Sequence, residues 1–276
     1  MNNFIQKLEK LWERKNFVCV GLDSDFAKIP EHLKISTNNL SEVIFDFNQG
    51  IVDSTFDLVC GYKINIAFFE EHGIEGLKAL EKTVVYLKDK YPDIPIILDA
   101  KRADIGSTNL SYAKAYFDFL GVDALTVHPY LGKEAMQPLL NYKDKGIIVL
   151  VRTSNPGAGE FQDLEVEGKP LYQIVAKNIV KNWNQNNNCC IVVGATYPKE
   201  LEEIRKIVGD MPILIPGIGA QGGDIEATVK AGKNSKSQGM IINSSRAIIF
   251  ASSGEDFAQA ARAETEKLSD EIKKYL

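Results

Sequence analysis

The chain has 276 residues, 45% of them hydrophobic and 25% charged, with a formal net charge of −5. This is an ordinary globular balance with ample apolar material for a sizeable core, and no apolar run approaches the roughly 20 residues needed to span a bilayer. The acidic balance argues against a nucleic-acid surface, although a few local cations can still dominate a cleft and attract a small anion.

Residues 1–17 carry Lys7, Glu9, Lys10, Glu13, Arg14 and Lys15. A secretory signal needs an uncharged apolar stretch there, so the expected location is cytoplasmic. Phe4, Ile5, Leu8, Leu11 and Trp12 read as one face of an amphipathic helix. Apolar, β-branched runs then recur at residues 17–22, 58–62, 94–98, 124–127, 147–151, 190–193, 212–215 and 240–242. Their continuous apolarity, rather than alternation, suits strands buried on both faces of a parallel sheet. Helical periodicity fills the intervals, as in Leu40-Val43-Ile44-Phe47-Ile51, Leu77-Leu80-Val84-Leu87 and Ile174-Val175-Ile179-Trp183. Residues 155–169 read as a long loop after the fifth run, and 182–188, rich in Asn, as a loop before the sixth. Eight strands alternating with helices predict a single-domain (β/α)8 TIM barrel over residues 1–276, with a doubly wound open sheet as the rival. The four cysteines, Cys19, Cys60, Cys189 and Cys190, lie in or beside these runs without C-x-x-C spacing, and read as reduced core thiols.

Polarity returns at the carboxyl ends of the runs. Asp23 follows the first, Lys63 the second, Asp99 the third and Arg152-Thr153-Ser154 the fifth. Pro216-Gly217-Ile218-Gly219-Ala220-Gln221 follows the seventh and Ser244-Ser245-Arg246 the eighth. In a barrel these ends converge on one face, where active sites are built. Within Asp99-Ala100-Lys101-Arg102-Ala103-Asp104, persisting strand geometry would turn Asp99 and Lys101 to the same side. That pair alone fits either a site or a strand-end salt bridge. Glycines 217, 219, 222 and 223 join a strand to a helix, where backbone N–H groups and the helix N-terminus favour an anion, and Arg246 adds a charged fork suited to phosphate. The alternative is a tight turn beside a surface arginine. His32, His72 and His128 are too scattered to mark a metal site, and His128 at a strand end reads as packing or a rim hydrogen bond. Ser107 and Ser154 lack a histidine partner for hydrolase chemistry.

The stretch from Ile97 to Thr108, reading Ile-Leu-Asp-Ala-Lys-Arg-Ala-Asp-Ile-Gly-Ser-Thr, resembles the signature of the orotidine 5'-monophosphate decarboxylase family, in its longer branch. The resemblance extends through Gly21-Leu22-Asp23, Lys63-Ile64-Asn65, Arg152 to Gly157, the 216–223 loop and Ser245-Arg246, in the family's order. It implies conversion of orotidine 5'-monophosphate to UMP, the last step of de novo pyrimidine nucleotide synthesis, with neither metal nor organic cofactor. It implies a charge network of Lys63, Asp99, Lys101 and Asp104, with Lys101 the proton donor to C6 of the pyrimidine. Asp23 and Lys63 would bind ribose hydroxyls with Asn65 close by, and Ser154 the pyrimidine amide edge. Gln221 and Arg246 would grip the phosphate, Gln221 from a closing loop, and Pro216 would contact the substrate. Asp104, Ile105 and Thr108 would enter a neighbouring subunit's site, so a homodimer would be required. Rival functions on the same barrel are a metal-dependent hexulose-phosphate synthase or ribulose-phosphate epimerase, a Schiff-base aldolase, and a silent nucleotide-binding protein.

Overall fold

The computed structural model describes residues 3–219 and 222–276. Among these residues ten strands occur: β1 (Val18–Gly21), β2 (Val59–Asn65), β3 (Ile96–Arg102), β4 (Ala124–Val127), β5 (Gly146–Arg152), β6 (Glu165–Val166), β7 (Lys169–Pro170), β8 (Cys189–Val193), β9 (Ile213–Pro216) and β10 (Met240–Ser244). Eight close into a parallel barrel in the order β1-β10-β9-β8-β5-β4-β3-β2, while β6 and β7 form a separate antiparallel pair. Closure excludes the open doubly wound sheet. The barrel strands correspond to the eight apolar runs because their Val, Ile and Leu side chains are buried both inside the barrel and beneath the surrounding helices.

The helix Phe4–Glu13 forms as its periodicity predicts. Asn3 and Gln6 cap it reciprocally, and Phe4, Leu8, Leu11 and Trp12 are buried. It packs against the amino-terminal end of the barrel: Phe4 N–H donates to Asp144 O at 3.0 Å, and Trp12 Nε1 to Met240 O at 2.8 Å. The Asn-rich stretch serves the same end, where the Asn188 amide donates to Tyr142 O at 2.9 Å and Lys145 O at 3.2 Å. The opposite end is therefore left for a site. All four cysteines are buried and unpaired.

Strands β2 and β3 run past their apolar stretches, to Asn65 and Arg102. Apolarity reports burial, whereas the hydrogen-bonded ladder continues into the polar mouth. The residues after Asn155 are more structured than the expected loop. They contain a 3-10 turn (Pro156–Ala158), a short helix (Gly159–Gln162) and the β6–β7 hairpin. That hairpin turns through Glu167 and Gly168, at φ +53° and +70°, the handedness that matches strand twist in a two-residue turn.

Candidate active site

The parallel register carries the polar strand ends to common heights. Gly21 pairs with Lys63, and Asn65 with Asp99. Across these strands runs a chain of charges. Lys63 Nζ donates to Asp23 Oδ1 at 3.1 Å and to Asp99 Oδ2 at 3.4 Å, and Lys101 Nζ donates to Asp99 Oδ1 at 2.8 Å. Lys63 and Asp99 are nearly buried, whereas the Lys101 side chain is 51% exposed and open to the cavity. Burial opposes the charge on Lys63, but the carboxylates of Asp23 and Asp99 outweigh it and hold the ammonium pKa above the ordinary lysine value. Burial would raise the Asp99 carboxyl. The Lys63 and Lys101 ammoniums, with hydrogen bonds from Lys101 and Thr126, instead bring it down to about 2. Buried charges of either sign are costly alone, so each side of this chain requires the other.

Lys101 does not reach Asp99 by strand alternation. Its φ is +47°, the left-handed region, which costs a non-glycine residue of order 1–2 kcal/mol. The β3–β4 register shifts there: Leu98 pairs with Leu125 and Arg102 with Val127, so residues 99–101 lie opposite Thr126 alone. This bulge, not a regular pleat, brings both side chains to one side.

The cavity at this mouth measures about 520 Å³, within the roughly 300–1,000 Å³ typical of small-molecule sites. Asp23, Lys63, Asn65, Asp99, Lys101, Ser154, Pro216 and Arg246 all line it. Asp104, Ile105 and Thr108 lie outside it, and Ile105 is 60% exposed. The expected role of Gln221 falls outside the described residues. Arg152 is also absent from the lining: it is buried, pairs with Asp163 at 3.0 Å and packs over the Tyr197 ring. Its neighbour Thr153 faces the cavity and exchanges hydrogen bonds with Gln162 at 2.8 and 2.9 Å. His128 is half-buried and does not line the cavity.

Arg246 begins the short helix Arg246–Ile249 and, among the described residues, has no carboxylate within 4.0 Å. Its placement depends on Gly21. A Cβ there would come within 1.9 Å of Ser245 Oγ, so only glycine lets the segment carrying Arg246 lie against β1. The loop after β9 takes left-handed turns at Gly217, Gly219 and Gly222 and closes on itself where Gly223 N–H donates to Gly217 O at 3.2 Å. The helix that follows, Ile225–Gly232, has its first turn met by the Asp224 carboxylate, which accepts from Ala227 N–H at 3.0 Å. That carboxylate offsets the positive potential expected from the helix N-terminus. Among the described residues, the positive charge that faces the cavity without a carboxylate partner is Arg246.

Thr126, Gln162 and Asn243 also line the cavity, beyond the residues expected from the sequence. A threonine within the apolar run 124–127 was the available signal for the first. The lone Asn243 after 240–242 was that for the third. Gln162, in the segment read as a loop, had none.

A closed α/β barrel with lysines and aspartates chained across its carboxyl-terminal mouth, and an arginine on the same cavity, defines a (β/α)8 protein with a charged small-molecule site. The profile of the "Orotidine 5'-phosphate decarboxylase / HUMPS family" matches residues 17–263, and the chain belongs to that family. It is 51% identical over 271 residues to the orotidine 5'-phosphate decarboxylase of Cellvibrio japonicus, covering 98% of each chain. It is 50% identical over 274 residues to that of a Janthinobacterium species, covering 99% of each. Among solved structures, Leishmania donovani OMP decarboxylase superposes with a TM-score of 0.83 at 32% identity over 98% of each chain. Leishmania donovani UMP synthase superposes at 0.87 and 34% identity, with this chain spanning 57% of that longer one.

Proposed function

We propose that this chain decarboxylates orotidine 5'-monophosphate to UMP, the closing step of de novo pyrimidine nucleotide synthesis, as a single-domain cytoplasmic enzyme. The observation that carries the reading is the Lys101 ammonium, held 2.8 Å from Asp99 Oδ1 on the cavity that also receives Lys63 and Arg246. The names of relatives at about half identity over nearly the whole length support the same reaction.

In this reading the substrate phosphate is bound by Arg246 and by Gln221 from the loop after β9, with Pro216 at the foot of that loop. Asp23 and Lys63 bind the ribose hydroxyls beside Asn65, and Ser154 bonds the pyrimidine edge. C6 then faces Lys101. The bond between C6 and the carboxylate breaks heterolytically, CO2 leaves, and the electron pair stays on C6 in the ring plane, where the π-system cannot delocalise it. A fixed ammonium stabilises that developing charge and then supplies the proton that forms the C6–H bond. Asp99 orients Lys101, and its negative charge opposes the substrate carboxylate in the ground state. Phosphate binding remote from C6 contributes binding energy that closes the loop over the reacting carbon. The carboxylates lining the cavity, Asp23 and Asp99, are engaged by lysines, which favours a reaction run by ammonium groups rather than by a bound metal.

Asp104 completes the charge network in a neighbouring subunit, with Ile105 and Thr108 beside it, so the working unit is a homodimer. In support, these residues lie outside their own chain's cavity, and Ile105 is exposed next to Asp104. The experiment is a spectrophotometric assay with orotidine 5'-monophosphate in excess chelator. Conversion to UMP undiminished by the chelator is expected. No conversion, or conversion that needs a divalent ion, would refute the reading and direct attention to the metal-dependent phosphosugar reactions of the same barrel.

A further inference from the structure

We infer that Thr126 is a positioning residue for Lys101, its hydroxyl fixing the lysine backbone and the Asp99 carboxylate in one geometry. The inference rests on the decarboxylase reading above.

The bulge in β3 leaves residues 99–101 opposite Thr126, with no ladder partner pairing Lys101. The backbone N–H of Lys101 instead donates to Thr126 Oγ1 at 3.0 Å. The same hydroxyl donates to Asp99 Oδ1 at 2.8 Å. That oxygen also accepts from Lys101 Nζ at 2.8 Å. The four groups close a ring: backbone N–H to hydroxyl, hydroxyl to carboxylate, and ammonium back to the same carboxylate oxygen. Both ends of Lys101 are thereby referenced to one atom. A hydroxyl is the group required at the centre, since it donates once and accepts as well. Thr126 is 1% exposed, so its hydroxyl bonds to Lys101 and Asp99 rather than to bulk water.

Valine has nearly the shape of threonine but neither accepts nor donates. In Thr126→Val the Lys101 N–H loses its acceptor and Asp99 Oδ1 loses a donor, so the left-handed backbone at φ +47° is no longer tethered. The ammonium then samples positions away from the reacting carbon. Groups assigned to ribose and phosphate are untouched, so the deficit falls on turnover rather than on binding.

The experiment measures kcat, KM and UMP affinity for wild type, T126V, T126S and T126A, alongside thermal melting. T126V is expected to lose about 10- to 100-fold in kcat, with KM and UMP affinity within about threefold. T126S, which restores the hydroxyl, is expected within about threefold of wild type. T126S and T126A lack the same methyl, so their ratio isolates the hydroxyl even if T126V fails to fold, and at least a tenfold higher kcat in T126S is expected. Equal kcat in T126S and T126A, or wild-type kcat in T126V, would overturn the inference. So would a loss in T126V spread equally over kcat and UMP affinity, the mark of a general structural defect. An inactive wild type refutes the decarboxylase reading itself; an active wild type beside an undiminished T126V refutes only the role of Thr126.

Discussion

The Lys101 ammonium donates a hydrogen bond to Asp99 Oδ1 across 2.8 Å from a left-handed backbone, with two residues of separation along the chain and a bulge between their strand positions. A residue that serves only to close a salt bridge gains nothing from such a conformation, which marks the position of the ammonium as the feature being held. On the proposed mechanism, Lys101→Ala removes both the electrostatic stabilisation of C6 and the proton that replaces CO2. A fall in kcat of about 10⁴-fold or more is expected, the combined size of a general-acid and an electrostatic contribution. UMP binding, read by calorimetry, stays measurable because the ribose and phosphate contacts remain. Turnover resembling wild type would end the assignment of Lys101 as proton donor.

The same chain of charges makes stability depend on pH in a defined direction. The Asp99 carboxyl lies at about 2 against its usual 3.8, which at about 1.4 kcal/mol per pH unit contributes roughly 2 kcal/mol. Because that value is depressed in the folded state, the contribution is complete above about pH 4 and is lost as pH falls towards 2. Lys63 is raised, so its contribution is complete below the ordinary lysine range and is lost only on the alkaline side of it. Denaturant melts of wild type and Asp99→Asn, taken from pH 7 down to pH 2, should differ most at and above pH 4 and converge near pH 2. A difference that stays constant across that window would contradict the linkage.

Arg246 faces the cavity without a carboxylate partner among the described residues, and Gly21 gives its segment room against β1. Arg246→Ala should therefore raise the KM for orotidine 5'-monophosphate by about 10- to 100-fold, as for loss of a charge-assisted contact to phosphate. Turnover of the corresponding nucleoside, which carries no phosphate, should hardly change. An unaltered KM would remove Arg246 from the phosphate site.

The barrel was legible because each of its strands is buried on both faces, so the Val, Ile and Leu runs stand out unbroken from Val18 to Ile242. The ends of β2 and β3 were not, since Lys63 and Asp99 keep the ladder but face the cavity. The set of polar strand ends pointed to the mouth that holds the cavity, yet position alone could not separate Arg152 from Thr153. One turns outward onto Tyr197 and Asp163, the other inward, and which way each turns is decided by tertiary packing. The conformation of Lys101 lies further from the sequence still. It arises from the mismatch of β3 with β4, a property of two strands that neither run discloses alone.

The placement of Asp104 yields a test of assembly. Asp104 Oδ1 accepts from the Ile105 N–H at 2.6 Å, and its side chain does not line the cavity of its own chain. If it completes a neighbour's site, Asp99→Ala and Asp104→Ala homodimers each carry two defective sites. A mixed dimer carries both defects in one site and neither in the other. Statistical reassociation makes half of the dimers mixed, so about a quarter of wild-type activity should return on mixing two inactive variants. Heterodimer formation is verified by differently tagged subunits and native mass spectrometry. Proven heterodimers with no recovered activity would show that each chain completes its own site, and Asp104 would lose its assigned role.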